Sequence, residues 1–309
     1  MSTTDAQPVA LDEPTETVRE RLAYCAYASV AWLGRTLPTH TGRALFRLFG
    51  TIAFHVASRQ RAVVAANQAQ VIGRPAGDPL VVASTREAFR SYGRYWYDTF
   101  ALTSMGDEQM RAAFDWDGDQ FLLEPTSRGQ GVIAVLPHLG NWDACGRDMT
   151  ARGLPVVAVA ERLRPERLYR MFVREREHNG VRVIALGGAG VGKSLSAAIA
   201  EGNVLALLSD RDLSGRGIKV EMFGATRRLP AGPAMLALST GAPIVVVGCY
   251  QTATGWRAIV RPLPMPELTG DRRGDARAIT QRIADAFERL IAAAPAEWHV
   301  FQPAWPSED

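Results

Sequence analysis

The chain has 309 residues, 47% of them apolar and 22% charged, so it can bury a full core as one large domain or two small ones. Its 35 basic residues are 33 arginines and only two lysines, Lys193 and Lys219, against 32 acids; a net charge of +3 is too mild for a nucleic-acid footprint, and no nucleic-acid partner is expected. Cys25, Cys145 and Cys249 are widely spaced with no CxxC pair, which argues against a disulfide framework and a zinc site.

Residues 1–16 carry four acids and no base and read as a disordered leader. They lack a basic start followed by an apolar stretch, so no secretory signal is expected there. From 17 to 70 the balance reverses, with seven arginines (19, 21, 35, 43, 47, 59 and 61) against Glu20 alone. LAYCAYASVAWLG (22–34) is uncharged, but thirteen helical residues cover about 20 Å, short of a hydrocarbon core of about 30 Å. ALFRLFGTIAFHVASR (44–59) places Leu45, Leu48, Phe49, Ile52 and His55 along one side. Two apolar helices edged with arginine suit an anionic membrane surface, so the N-terminal helices are expected to form a membrane-docking region; covering the domain core is the alternative.

Helical periodicity runs over 17–34, 41–58, 60–72 and 80–104, so the first hundred residues are expected to be all-helical. Tyr92, Tyr95, Trp96, Tyr97 and Phe100 crowd the last of these helices, a pattern that usually means core packing. From 131 short β-branched runs alternate with helical ones. The strands expected are 132–136, 155–160, 181–186, 203–208, 218–223, 243–250 and 256–262. The helices lie near 141–152, 165–179, 192–201, 231–240 and 274–293. Apolar strands alternating with helices predict an α/β fold: a central, mostly parallel or mixed sheet covered by helices on both faces. No linker divides the chain, so residues 17–309 are read as one domain, with N-terminal helices over 17–104 and an α/β core over 131–309.

In such sheets functional residues gather where strands end and helices begin. The first junction reads VIAVLPHLGNWDACG (132–146). On one continuous helix His138 and Asp143 would be about 500° apart and point away from each other. They meet only if His138 lies in the loop and Asp143 in the first helical turn, a break that Pro137 and Gly140 favour. Asp143 is then expected to accept the Nδ1 proton, orienting His138 so that Nε2 serves as general base. Cys145 is read as a small buried residue, not a nucleophile, and no metal-ligand spacing involves His40, His55, His178 or His299, each taken as a surface or cap residue.

HLGNWD resembles the H-x4-D block of the glycerolipid acyltransferase superfamily. In the form H-x-G-N-W-[DE] it is similar to the branch holding the bacterial lipid A lauroyl/myristoyl acyltransferases and the phosphatidylinositol mannoside acyltransferases. Further blocks extend the resemblance over most of 20–305: AERLRPERLYRMFVRERE (160–177), LLSDRDLSGRG (207–217) and VEMFGATRRLPAGPAMLALSTGAPIV (220–245). The phrase DRDLS and the lysine-poor chain look closer to the mannoside branch. The resemblance implies an acyl-CoA-dependent O-acyltransferase with no cofactor, acylating a mannose of a phosphatidylinositol mannoside at the cytoplasmic face of the plasma membrane. It implies a further acidic partner for the histidine, with Asp210, Asp212 and Glu221 all open, and head-group contacts from Glu161, Arg176 and Arg211. Backbone N–H groups at the start of the 140–152 helix, or Arg176, are candidate donors to the oxyanion. A lipid A-type acyltransferase fed by acyl-carrier protein is the near alternative.

A rival motif competes. GGAGVGKS (187–194) fits the phosphate-cradling pattern G-x-x-x-x-G-K-[ST], and NVLALLSD (203–210) looks like the strand whose aspartate would hold magnesium. More than 180 residues precede the motif, and the segment to Asp210 is short. A structural loop is therefore favoured over an NTPase.

Overall fold

Thr17 and Glu20 start the first helix by capping each other. Glu20 N donates to Thr17 Oγ1 at 3.2 Å and Thr17 N to Glu20 Oε2 at 2.8 Å. The computed structural model describes residues 17–162, 164–188 and 190–305. The acidic leader at 1–16 lies outside them.

Among the described residues four helices come first: α1 (Val18–Thr36), α2 (Thr39–Val56), α3 (Ser58–Ile72) and α4 (Pro79–Ala101). Asp78 caps α4 through Leu80 N at 2.9 Å, with proline at the first helical position, where its missing N–H costs nothing. Helices α2 and α4 cross at glycines. A Cβ on Gly50 would fall 2.2 Å from the Phe89 carbonyl oxygen, and one on Gly93 2.1 Å from that of Phe46. Three short elements absent from the expected pattern follow, α5 (Asp107–Ala112), β1 (Phe114–Asp117) and α6 (Gln120–Ser127). Each is too brief, and β1 (FDWD) too polar, to show a hydrophobic period.

The core then alternates β2 (Val132–Leu136), α7 (Trp142–Ala151), β3 (Val156–Ala160), α8 (Glu166–His178), β4 (Arg182–Ala185), α9 (Val191–Ala200) and β5 (Val204–Leu208). After a hairpin come α10 (Gly232–Thr240), β8 (Ile244–Gln251), β9 (Trp256–Pro262) and α11 (Arg272–Ala293). Seven strands form one mixed sheet in the order β1-β9-β8-β2-β5-β3-β4. All pairs are parallel except β8 with β9. Both faces are covered, as the unbroken apolar runs require. Ile133, Val135, Leu205 and Val246 pack toward α9, α10 and α11. Val132, Ala134, Leu136 and Val245 pack toward α5, α6 and α7.

The stretch expected as a sheet strand at 218–223 is instead half of a separate hairpin, β6 (Ile218–Met222) with β7 (Ala225–Leu229). Its alternation explains this: Val220 and Met222 are buried while Lys219 and Glu221 are exposed, the pattern of a ribbon with one wet face. Among the described residues no helix is long and apolar enough to cross a membrane.

Candidate active site

Strand register builds the centre of the site. β2 and β5 are parallel neighbours with Leu136 opposite Leu208. Two residues beyond each partner stand His138 and Asp210, side by side. His138 Nδ1 lies 2.5 Å from Asp210 Oδ1, and His138 N donates to Oδ2 at 3.0 Å. Trp298 Nε1 donates to the same Oδ2 at 2.8 Å. Burial opposes ionisation of this carboxyl, yet the His138 ring and the donated hydrogen bonds outweigh it and hold it well below the usual carboxylate range. A carboxylate on Nδ1 sets the tautomer, leaving Nε2 available to the cavity that His138 lines.

The expectation for Asp143 is therefore corrected: the carboxylate on Nδ1 is Asp210. Asp143 does sit in the first turn of α7, where Asn141 caps the helix through Ala144 N at 2.9 Å. From there it reaches α4 and α8 instead. Tyr95 Oη donates to its Oδ2 at 2.7 Å and Arg176 Nε to its Oδ1 at 2.8 Å. Burial, then the Asp143 charge, pushes the Tyr95 phenol well above its ordinary value. Arg176 thus commits donors to a neighbouring carboxylate, so its role as oxyanion donor loses ground.

Of the other two acids, Asp212 accepts Ser214 N at 3.0 Å and Gly217 N at 2.6 Å within its own loop. Glu221 is exposed on the hairpin, where Thr226 Oγ1 donates to it at 2.5 Å. Neither contact involves His138. The three head-group candidates, Glu161, Arg176 and Arg211, all line the same cavity as His138 and Asp143. Arg211 also holds Gln302 Oε1 at 2.6 Å.

The loop 137–140 is pinned from the C-terminal segment. Gly140 N donates to Glu297 O at 2.9 Å and His299 N to His138 O at 2.7 Å. Gly140 has φ 61°, and a Cβ there would lie 1.8 Å from the Cys249 carbonyl oxygen, so no other residue fits. Burial raises the Glu297 carboxyl to about 7. His299, expected on the surface, is buried in the cavity wall against Tyr92, Tyr95 and Trp142. Its Nε2 is 2.9 Å from Ser91 Oγ, its Nδ1 is buried without a partner, and burial pushes its value down to about 3, so it stays neutral. An imidazole 161 residues from His138 carries no local signal of this placement; only its neighbour Trp298, a large apolar residue near the chain end, hints at a docked segment. Cys145 is buried, as expected, and the Cys249 thiol beside it pushes its own well above the ordinary value.

The cavity measures about 740 Å³, within the range of small-molecule sites. Much of its wall is aromatic. Tyr92, Tyr95, Trp96 and Phe100 form one face of α4 toward it, with Tyr27 of α1 and Phe172 of α8 packed against Trp96. Its floor is the sheet, where Ala158 and Ala206 are paired in register and leave space that larger side chains would fill. Tyr97, by contrast, turns away to Phe46 and donates to Leu37 O at 2.9 Å.

The rival motif falls elsewhere. Lys193 is exposed at the start of α9, and β4 before it is the edge strand. The aspartate that would hold magnesium is Asp210, whose two oxygens are already taken by His138 and Trp298.

Residues 14–307 match the bacterial lipid A biosynthesis acyltransferase family. The chain belongs to that family. Within it, the chain is 36% identical over 305 residues to the phosphatidylinositol mannoside acyltransferase of Mycobacterium tuberculosis H37Rv, covering 95% of this chain and 92% of the relative. It is 38% identical over 241 residues to the protein of that name from Mycolicibacterium smegmatis, covering 77% of each. For a lipid A-family acyltransferase, a histidine on a buried carboxylate beside a largely apolar cavity is a coherent site.

Proposed function

We propose that this family member transfers a long acyl chain from acyl-CoA to a mannose hydroxyl of a phosphatidylinositol mannoside. The observation that carries the proposal is His138, bonded to buried Asp210 through Nδ1, at the wall of a cavity also lined by aromatic and apolar side chains. The names of the two relatives supply the acceptor class.

A thioester is already activated, so one base is enough and no acyl-enzyme forms. His138 Nε2 takes the hydroxyl proton as the oxygen bonds to the thioester carbonyl carbon. The C–S bond then breaks, and the imidazolium returns the proton to the departing CoA sulfur. Asp210 stabilises the imidazolium in between. In this reading Glu161 and Arg211, which line the cavity, meet the polar head group, and the aromatic wall holds the acyl chain. Asp143 organises Tyr95 and Arg176 around the cavity.

A peripheral position on the cytoplasmic leaflet, where acyl-CoA is available, completes the proposal. Its support is α2, which leaves Leu48, Phe49, Ile52 and Val56 exposed. The arginines support it less than their number suggests. Arg43 pairs with buried Asp98 at 2.7 Å, Arg47 with Glu87 at 2.9 Å, and Arg35 with Glu175. Arg19, Arg21 and Arg59 are exposed.

The test is mass spectrometry of product after incubating the protein with acyl-CoA and phosphatidylinositol mannosides, with lipid A precursors and acyl-carrier protein donors as the competing set. Acylated mannoside formed from acyl-CoA is the expected result; transfer only from acyl-carrier protein to a lipid A precursor would replace the proposal.

A further inference from the structure

Arg227 lies on the wrong side of its hairpin. Strands β6 and β7 alternate, with Val220, Met222 and Leu229 buried and Lys219, Glu221 and Arg228 exposed. Arg227 pairs with Val220 at an inward position and is only 4% exposed. A guanidinium without a counter-charge is costly at such a place. Its Nη2 donates to the main-chain carbonyl of Asp210 at 2.5 Å, and its Nη1 approaches Met222 Sδ at 3.8 Å. Its plane lies over Trp298 at 5.6 Å and Trp305 at 4.9 Å, while Nε is buried without a partner. Trp298 is the indole that donates to the Asp210 carboxylate.

Charge accounting gives this arrangement a purpose. Asp210 is wholly buried. A base must begin the reaction neutral, so at that stage His138 offers Asp210 a hydrogen bond but no charge. We infer that Arg227 is the standing counter-ion of Asp210, a positioning residue that keeps an ionised carboxylate beside a neutral imidazole before the proton moves. The inference rests on the reading of His138 as general base. Arg227 acts through Asp210 and the shared Trp298, and touches no substrate. With it in place, protonating His138 adds a second positive charge to a site already balanced. Without it, His138 would be drawn to its protonated form to balance Asp210, and would arrive with its proton already in place.

Other charged groups face the same centre. Asp143 and Arg176 neutralise each other, Arg211 is tied to Gln302, and His299 is neutral. Glu297, raised to about 7 by burial, titrates in the working range and lies behind the His138 loop. The measurement is therefore made both in the native chain and with Glu297→Gln.

The readout is the pH profile of kcat/KM for the native enzyme, Arg227→Met and Arg227→Lys. The Met variant should move the rising acid limb up by about one pH unit, hence about tenfold less activity below the limb, with the plateau kept within several-fold. The Lys variant should leave the limb in place. A Met variant that loses activity equally at all pH values, its limb unmoved, would make Arg227 a packing residue and overturn the inference. Should the Met variant fail a circular-dichroism check, denaturant midpoints of Asp210→Asn, Arg227→Gln and the double variant carry the test. The double should lose less stability than the two singles combined, because each single strands one buried charge; strict additivity would overturn the inference. His138→Ala runs alongside: its inactivity with an unmoved Arg227→Met limb defeats only the counter-ion inference, whereas an active His138→Ala defeats the general-base reading as well.

Discussion

At the residue scale, the carboxylate on the histidine is not the one the motif spells. His138 and Asp143 are five apart in HLGNWD, but the imidazole is held by Asp210, 72 positions away. His138→Ala should abolish acyl transfer, by about 10³-fold or more, and should also lower the melting point, because it strips the ring from the buried Asp210 carboxylate. Retained turnover in a product assay would end the general-base account. Asp143→Asn should show itself chiefly in stability. It removes the ion pair to Arg176 and weakens the bond from Tyr95, in a site between surface and core, so a loss of about 2 kcal/mol is expected in urea unfolding. Glu297 makes a prediction with a sign. Burial raises its carboxyl from 4.5 to about 7. Between those values the unfolded chain has lost this proton while the folded chain keeps it. The contribution is therefore fully present below about pH 4.5 and lost as pH rises to 7, roughly 3 kcal/mol in all. Compared with Glu297→Gln, the native protein should weaken across that window; parallel stability curves for the two would refute it.

At the element scale, the sheet floor and the face of α4 define the apolar half of the cavity. Ala158 and Ala206 sit in register on β3 and β5, and the room above them depends on their small side chains. Ala206→Phe should shift the preferred acyl-CoA toward shorter chains by several carbons, with short-chain kcat/KM near native. A uniform loss across chain lengths would instead mean damage to the sheet. The aromatic run of α4 divides by helical phase. Tyr92, Tyr95, Trp96 and Phe100 share the cavity side, while Tyr97 packs against Phe46 and serves the helical bundle.

At the scale of the whole molecule, the proposed membrane position rests on the N-terminal helices. The exposed apolar side of α2 is expected to insert at the interface, and the exposed arginines to add a smaller, salt-sensitive part of about 1 kcal/mol each. Leu48→Ser, Phe49→Ser and Ile52→Ser together should release the protein from phosphatidylinositol vesicles in a sedimentation assay, while activity on detergent-dispersed acceptor survives. Changing Arg35, Arg43 and Arg47 is a poor substitute, because each already pairs with an acid of the chain and the Arg43–Asp98 pair is buried. Vesicle binding unaffected by the triple serine change would mean that α2 does not meet the membrane.

What the sequence determines by itself is whatever is written in local periodicity. The helices of the first hundred residues, the apolar strands of a sheet buried on both faces, and the strand-end loop carrying His138 are all legible because each depends on residues a few positions apart. Short elements such as α5, β1 and β7 are not, since they span too few residues to show a period. The choice among Asp143, Asp210, Asp212 and Glu221 belongs to tertiary structure alone. It follows from β2 lying next to β5 with Leu136 opposite Leu208, which carries the two following loops to the same point. The docking of Trp298 and His299 against that loop, and the inward turn of Arg227, are likewise set by packing between segments far apart in the chain. Pairing of distant strands is a global free-energy minimum, and no short window of sequence contains its terms.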